Sequence, residues 1–159
     1  MSEIKIRRAK ASDAEFIGKL IVEAWEPIYE GFRSQLGDAV YATVYPGTPA
    51  EAKAARFMAE AGTGNMLVAE IDGEICGFAT FHYDGEIGVL SENAVSPRYK
   101  GRGISGKLYE SVFDELRNLG CKIVRVVTGL DEAHASARRA YEKAGFSVSL
   151  SSINYFKEL

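Results

Sequence analysis

Apolar residues repeat along this chain with two different periods, and the places where the period changes mark its elements. Ile4 to Ala9 alternates apolar and charged residues, as a half-buried strand does. Ser12-Asp13-Ala14-Glu15 has the form of a capping box. Behind it, Phe16, Ile17, Leu20, Ile21, Ala24 and Trp25 fall on one helical face, and Pro27 should end or kink that helix. From 29 to 47 the period is lost, with Tyr29, Phe32, Tyr41 and Tyr45 set among Gly31, Gly37 and Gly47. Thr48-Pro49-Ala50-Glu51 opens a second helix, expected to reach about Ala61 and stopped by Gly62-Thr63-Gly64.

Three β-rich runs follow, Met66 to Ile71, Ile75 to Tyr83 and Ile87 to Val95, joined by Asp72-Gly73 and Asp84-Gly85. Asp-Gly between β-rich runs is a strong hairpin signal, so these predict a meander. Ile104, Leu108, Val112, Leu116 and Leu119 set a third helix, capped by Gly120. Lys122 to Thr128 is valine-rich and reads as a buried strand, and Ala133 to Ala144 as a helix ended by Gly145. Phe146 to Leu150 and Ile153 to Phe156 predict a closing pair of strands. The order β-α-α-β-β-β-α-β-α-β-β predicts an α/β (α+β) domain whose sheet is mixed and mainly antiparallel, flanked by helices.

Composition adds bounds to that pattern. The 159 residues, 47% hydrophobic and 26% charged, suit one globular domain over 1–159 with a sizeable core. A net charge of −3 argues against nucleic acid as a partner. Two cysteines far apart and two histidines offer no recognised metal spacing, so no metal is expected. Their thiols should be reduced, as in the cytoplasm. The charged start from Glu3 to Lys10 is unlike a signal peptide, and no apolar run approaches a membrane span.

The chemistry-bearing stretch is Asn93-Ala94-Val95-Ser96-Pro97-Arg98-Tyr99-Lys100-Gly101-Arg102-Gly103-Ile104-Ser105-Gly106-Lys107. A strand end, a basic turn and three glycines lead into a helix. Its first turn offers unpaired N–H groups at the positive end of the dipole, and Lys100, Arg102 and Lys107 add charge. Together these suit a diphosphate. A Walker loop is excluded because Leu108 follows Lys107 where Ser or Thr is required. The glycines fit G-x-G-x-x-G, but the run follows hairpins rather than the first strand of a βαβ unit, and the next strand carries no acid.

This stretch resembles the acetyl-CoA loop of the GNAT superfamily of N-acetyltransferases, whose pattern is Gln/Arg-x-x-Gly-x-Gly/Ala behind Val-x-Pro. Lys100 and Ser105 depart from it, conservatively in size. His134-Ala135-Ser136-Ala137-Arg138-Arg139-Ala140-Tyr141-Glu142-Lys143-Ala144-Gly145-Phe146 is similar to the family's Asn-x-x-Ala-x-x-Phe-Tyr-Glu-x-x-Gly-Phe, with His134 in place of Asn. The resemblance covers nearly the whole chain and implies a GNAT-like acyl-CoA N-acyltransferase fold.

It also implies roles. Acetyl-CoA would be held by backbone groups of Asn93, Ala94 and Val95 along its pantetheine arm. A strand parted from its neighbour there would expose such groups. Lys100, Gly101, Arg102, Gly103, Ile104, Ser105 and Gly106 would hold the diphosphate, with His134, Ser136 and Arg138 further along. Tyr141 would be the general acid: a phenol with a pKa of about 10 stays protonated beside a thiol whose pKa is about 8.5. Glu92 is the candidate base, acting directly or through a water, with Glu86 and His82 behind it. A solvent-facing strand glutamate reads the same way in the sequence. Trp25, Tyr29 and Tyr155, with Phe32, Tyr41, Tyr45 and Asn154, would face the amine acceptor, or else belong to the core or a homodimer face. Two functions fit: N-acetyl transfer to a primary amine by direct attack in a ternary complex, or an acyl-CoA sensor without turnover.

Overall fold

A computed structural model describes residues 3–159. Five strands form one sheet in sequence order, β1 (Lys5–Arg8), β2 (Met66–Ile71), β3 (Glu74–Asp84), β4 (Ile87–Val95) and β5 (Ile123–Arg125). The first four are antiparallel and β5 runs parallel to β4. The meander follows from its turns: Asp72, Gly73 and Gly85 all hold positive φ, at 51°, 84° and 56°, which Asp-Gly turns supply at low cost.

Five helices flank the sheet: α1 (Ala14–Leu36), α2 (Asp38–Val44), α3 (Pro49–Glu60), α4 (Ile104–Asn118) and α5 (Ala135–Lys143). Alternation along the strands divides the core in two. Met66, Val68 and Phe78 pack with Ile17, Ile21 and Phe57 of α1 and α3. Leu67, Ala69 and Phe81 pack on the other face with Leu108, Val112 and Leu116 of α4.

Several expectations are corrected. Pro27 does not end its helix; α1 runs 23 residues through it. The lost N–H bond is local, whereas α1 is anchored before the proline by Ile17 and Ile21 in the core and after it by Tyr29 and Phe32 against Tyr45. The aperiodic stretch 29–47 is mostly helix, divided at Gly37, whose φ is 76°. Ser12 does not cap α1: a single 3-10 turn, Ala11–Asp13, leads into it, and the Asp13 carboxylate accepts from the Lys10 N–H at 2.7 Å. Strand 122–128 shortens to Ile123–Arg125 and is half exposed rather than buried, with Ile123 and Val127 outward. The closing strands at 146–150 and 153–156 do not form. Residues 146–159 carry no regular structure, because within this chain no strand edge is paired to them.

Candidate active site

The site is built where β4 parts from β5. The pairing of the two covers only Ile87–Val89 against Ile123–Arg125, so the outer edge of β4 from Leu90 to Val95 has no strand beside it. The parting coincides with a bulge. Opposite β3, the register runs from Ala79↔Asn93 to Phe81↔Leu90, so Ser91 and Glu92 together face Thr80. Such a bulge bends its strand and breaks the ladder. The buried Thr80 hydroxyl takes the place of the missing bonds, accepting from Glu92 N at 2.9 Å and donating to Glu92 O at 3.1 Å.

Asn93 follows the bulge and reaches across to the helices. Its Nδ2 donates to the Tyr141 hydroxyl at 3.0 Å and to Ser91 O at 3.2 Å, and its Oδ1 accepts from the Tyr109 hydroxyl at 2.7 Å. The rings of Tyr109 and Tyr141 lie 5.6 Å apart, both buried. Burial pushes the Tyr141 phenol above its ordinary value, opposed by the Asn93 hydrogen bond and assisted by the Glu92 charge. Burial does the same to Tyr109, more strongly. The Tyr109 hydroxyl gives its proton to Asn93 Oδ1, and Asn93 Nδ2 donates to the Tyr141 oxygen. Its own proton is therefore free for a third group.

Glu92 is half-buried, and its Oε1 sits 3.0 Å from Lys53 Nζ. That ammonium also lies 5.0 Å from the centre of the Trp25 ring and 5.7 Å from that of Phe57. Burial, then the Glu92 charge, raises the Tyr29 phenol, which places Tyr29 in the same field. Tyr29 packs on Tyr45 at 5.4 Å and on Phe32 at 6.0 Å. Phe32 stacks on His134 at 6.0 Å. This aromatic wall joins α1 and α2 to the turn before α5. Tyr155 does not join it; it stands exposed on the C-terminal segment. Trp25 is half-buried against Phe78 at 6.2 Å, partly core and partly site. Glu86 pairs with Lys122 at 2.6 Å at the far end of β4, and His82 is exposed across from Val89.

The turn between β4 and α4 has the properties a diphosphate requires. Gly101 and Gly103 hold φ of 78° and 76°, which glycine adopts without strain. Gly103 is the N-cap of α4, and Ile104, Ser105 and Gly106 form its first turn. Gly106 lies in a right-handed helix with nothing within 4 Å of where a Cβ would stand. Neither crowding nor conformation in this chain demands glycine there, so the space is open to an incoming group. Tyr99 pins the turn to β3 through its hydroxyl, which donates to Glu74 Oε2 at 2.7 Å. Arg102 lies over the Tyr99 ring at 5.3 Å. Among the described residues Lys100, Arg102 and Lys107 enter no ion pair with a carboxylate.

At the other wall, Arg138 is committed to structure. Its Nη1 donates to Gly129 O and Asp131 O, each at 2.7 Å, and so fastens the turn after β5 to α5. His134 Nδ1 lies 2.6 Å from Asp131 Oδ1. Ser136 is exposed on the first turn of α5. Three participants had no distinguishing signal in the sequence: Thr80 reads as one more strand residue, Tyr109 as a core residue of α4, and Lys53 as a solvated charge on α3.

The sequence pattern of the Acetyltransferase (GNAT) family matches residues 23–146, most of the chain, and the chain belongs to that family. It is 37% identical over 84 residues to the acetyltransferase SG1711 of Sodalis glossinidius, an alignment that spans 52% of this chain and 57% of that protein. Among solved structures it is similar to the PaiA N-acetyltransferase of Thermoplasma acidophilum in complex with coenzyme A. That likeness has a TM-score of 0.69, 18% identity, and coverage of 94% of this chain and 93% of that one. It is similar also to AAC(6')-Iy in complex with a bisubstrate analogue, CoA-S-monomethyl-acetylneamine, with a TM-score of 0.65, 20% identity, and coverage of 99% and 100%. At these identities the structures establish the fold. Among the described residues no helix is long and apolar enough to cross a membrane, and no cluster of side chains could hold a metal.

Proposed function

We propose that this protein, acting as one unit over 1–159, transfers the acetyl group of acetyl-CoA to a primary amine by direct attack in a ternary complex. The carrying observation is the Tyr141 hydroxyl, held as an acceptor by Asn93 with its own proton free, beside an open strand edge and a glycine-rich helix start. Acetyl-CoA supplies a thioester carbonyl to an amine, and its thiol leaves. The outer-edge groups of Asn93, Ala94 and Val95 are suited to bond the amides of the pantetheine arm. The N–H groups of 104–106 with Lys100 and Arg102 suit the diphosphate.

Tyr141 donates its proton to the departing sulfur. A phenol raised above its ordinary value is fully protonated at neutral pH, so the acid is always loaded. The second oxygen of Glu92 accepts the proton that the amine must lose, directly or through a water. Lys53 fixes the first oxygen at 3.0 Å. Tyr29, Phe32 and Tyr45 wall the acceptor side with aromatic surface, which suits a cationic amine. Two free cysteines suit a reducing compartment, and we assign the protein to the cytoplasm.

One observation favours a second reading. The candidate base, Glu92, is tied to Lys53, as it could be in an acyl-CoA sensor that never turns over. Calorimetric titration with acetyl-CoA, followed by thiol release over a panel of amines and peptides, tests both. The transferase binds acetyl-CoA and releases thiol with at least one amine. Its Tyr141→Phe variant keeps affinity and loses about a hundredfold or more in turnover. Binding without release from any amine, and no effect of Tyr141→Phe, makes the sensor correct. Absence of binding overturns both readings.

A further inference from the structure

Lys53 turns inward from α3. Its side chain is 15% exposed, whereas Lys19 and Lys122, which also enter ion pairs, are 71% and 72% exposed. A lysine usually buries its stem and keeps its ammonium in water. Here the ammonium is drawn in as well. Nζ lies 3.0 Å from Glu92 Oε1, 5.0 Å from the centre of the Trp25 ring and 5.7 Å from that of Phe57. Both rings rest on the buried Phe78, at 6.2 and 6.3 Å. The amine is thus held on a platform fixed to the core. A half-buried ion pair does little for stability, because desolvation offsets its attraction, so the placement asks for another reason.

Glu92 and Asn93 are consecutive on β4 and face opposite ways. Glu92 meets Lys53 of α3, and Asn93 meets Tyr109 of α4 and Tyr141 of α5. The proposed base and acid therefore approach the open edge of β4 from its two faces. An acceptor for this chemistry is a primary amine that stands within proton-transfer distance of the base and whose cation rests on aromatic rings. Lys53 meets each of these conditions within the chain itself.

We propose that Lys53 is an acetyl acceptor: the protein transfers the acetyl group of acetyl-CoA to its own Lys53 Nζ. This rests on the transferase reading of the same site. The ammonium gives one proton to Glu92 Oε1, and the freed electron pair of Nζ forms the C–N bond at the thioester carbonyl. The C–S bond breaks, and the sulfur leaves with its electron pair and takes the Tyr141 proton. Tyr141 recovers a proton from the new amide nitrogen, and Glu92 releases its own to water. The products are coenzyme A with a free thiol and a neutral acetamide on Lys53, which no longer pairs with Glu92.

The test incubates the full chain with isotopically labelled acetyl-CoA and no added amine, and locates the label by peptide mass mapping. Thiol release over an amine panel is measured in parallel. The expected result is one labelled acetyl group at Lys53, gained at a rate independent of protein concentration, as a reaction within one chain must be. Labelling should be slower by about a hundredfold or more in Tyr141→Phe and in Glu92→Gln; if one of these fails to fold, the other decides. Lys53→Arg keeps the charge without a nucleophilic amine and should take up no label. Label at Lys53 with no external amine accepted supports the proposal and makes Lys53 the substrate. A protein that releases thiol to an external amine yet leaves Lys53 bare overturns this proposal alone, and one that does neither overturns the transferase reading with it. Label spread over the exposed lysines, or unslowed in both folded variants, is uncatalysed acetylation and overturns the proposal.

Discussion

Asn93 Nδ2 donates to the Tyr141 hydroxyl while Asn93 Oδ1 accepts from the Tyr109 hydroxyl. One amide thereby joins the bulged strand to two helices and sets which atom of Tyr141 is free to react. Replacing Asn93 by Ala removes a donor from one phenol and an acceptor from another, both buried. We expect stability to fall by about 1–3 kcal/mol and turnover by about tenfold to a hundredfold through loss of orientation, with the KM for acetyl-CoA nearly unchanged. Tyr109→Phe separates the two effects, because it costs stability and leaves the Asn93–Tyr141 bond. Denaturant unfolding and steady-state kinetics on the two variants check this.

Thr80 holds the bulge. Thr80→Val keeps the shape and removes the hydroxyl that bonds both Glu92 N and Glu92 O. Leaving the Glu92 N–H unpaired should cost about 1–3 kcal/mol. A loosened bulge should also raise the KM for acetyl-CoA. Thr80→Ser should restore both quantities, and an unchanged KM in Thr80→Val would detach the bulge from binding.

Gly88 is demanded by packing. A Cβ there would stand 2.6 Å from Leu116 Cδ1 and 2.9 Å from Cδ2. Gly88→Ala should destabilise by about 1–3 kcal/mol through overpacking. Adding Leu116→Ala should give a double variant more stable than the sum of the two single losses predicts, because the added methyl fills space the leucine vacates. A strictly additive cycle would refute the contact.

Acid should unfold the protein partly through Asp13. The Arg7 guanidinium donates to both its oxygens, at 2.7 and 3.1 Å, and holds the carboxyl below its usual range against the opposing effect of burial. Its folded pKa is therefore depressed. The pair's contribution is complete above the unfolded value of about 3.9 and is lost as pH falls through the folded value. Arg7 also bonds Glu70 at 2.8 Å, linking β1 to β2. Arg7→Met should cost about 2–3 kcal/mol at neutral pH and flatten the dependence of stability on pH below about 4. Urea unfolding from neutral to acid pH measures both.

What the sequence made legible was what local chemistry decides. The meander stood on two Asp-Gly turns, and both hold the positive φ that such turns imply. The helix at Ile104 and the glycines before it stood on spacing, and Gly103 is its N-cap. Tyr141, Glu92 and Asn93 were named from the family resemblance, and Asn93 and Tyr141 are joined by a hydrogen bond. What was hidden depends on distant partners. Pro27 sits inside a helix because packing on both sides outweighs one lost bond. Thr80, Tyr109 and Lys53 act through residues 12, 16 and 39 positions away, which no local period reports. The last two strands rested on alternation alone, and residues 146–159 pair with no strand of this chain. Tyr155 was drawn away from the acceptor side with them.

Gly106 carries a cost that the fold does not repay. In the first turn of α4, exposed and uncrowded, alanine would make a firmer helix by up to about 1 kcal/mol. The protein thus holds a small reserve of unclaimed stability at the place where we expect the diphosphate to come closest. An engineer who stiffened this helix for endurance would fill the very space that binding needs, so at this position robustness and affinity are alternatives.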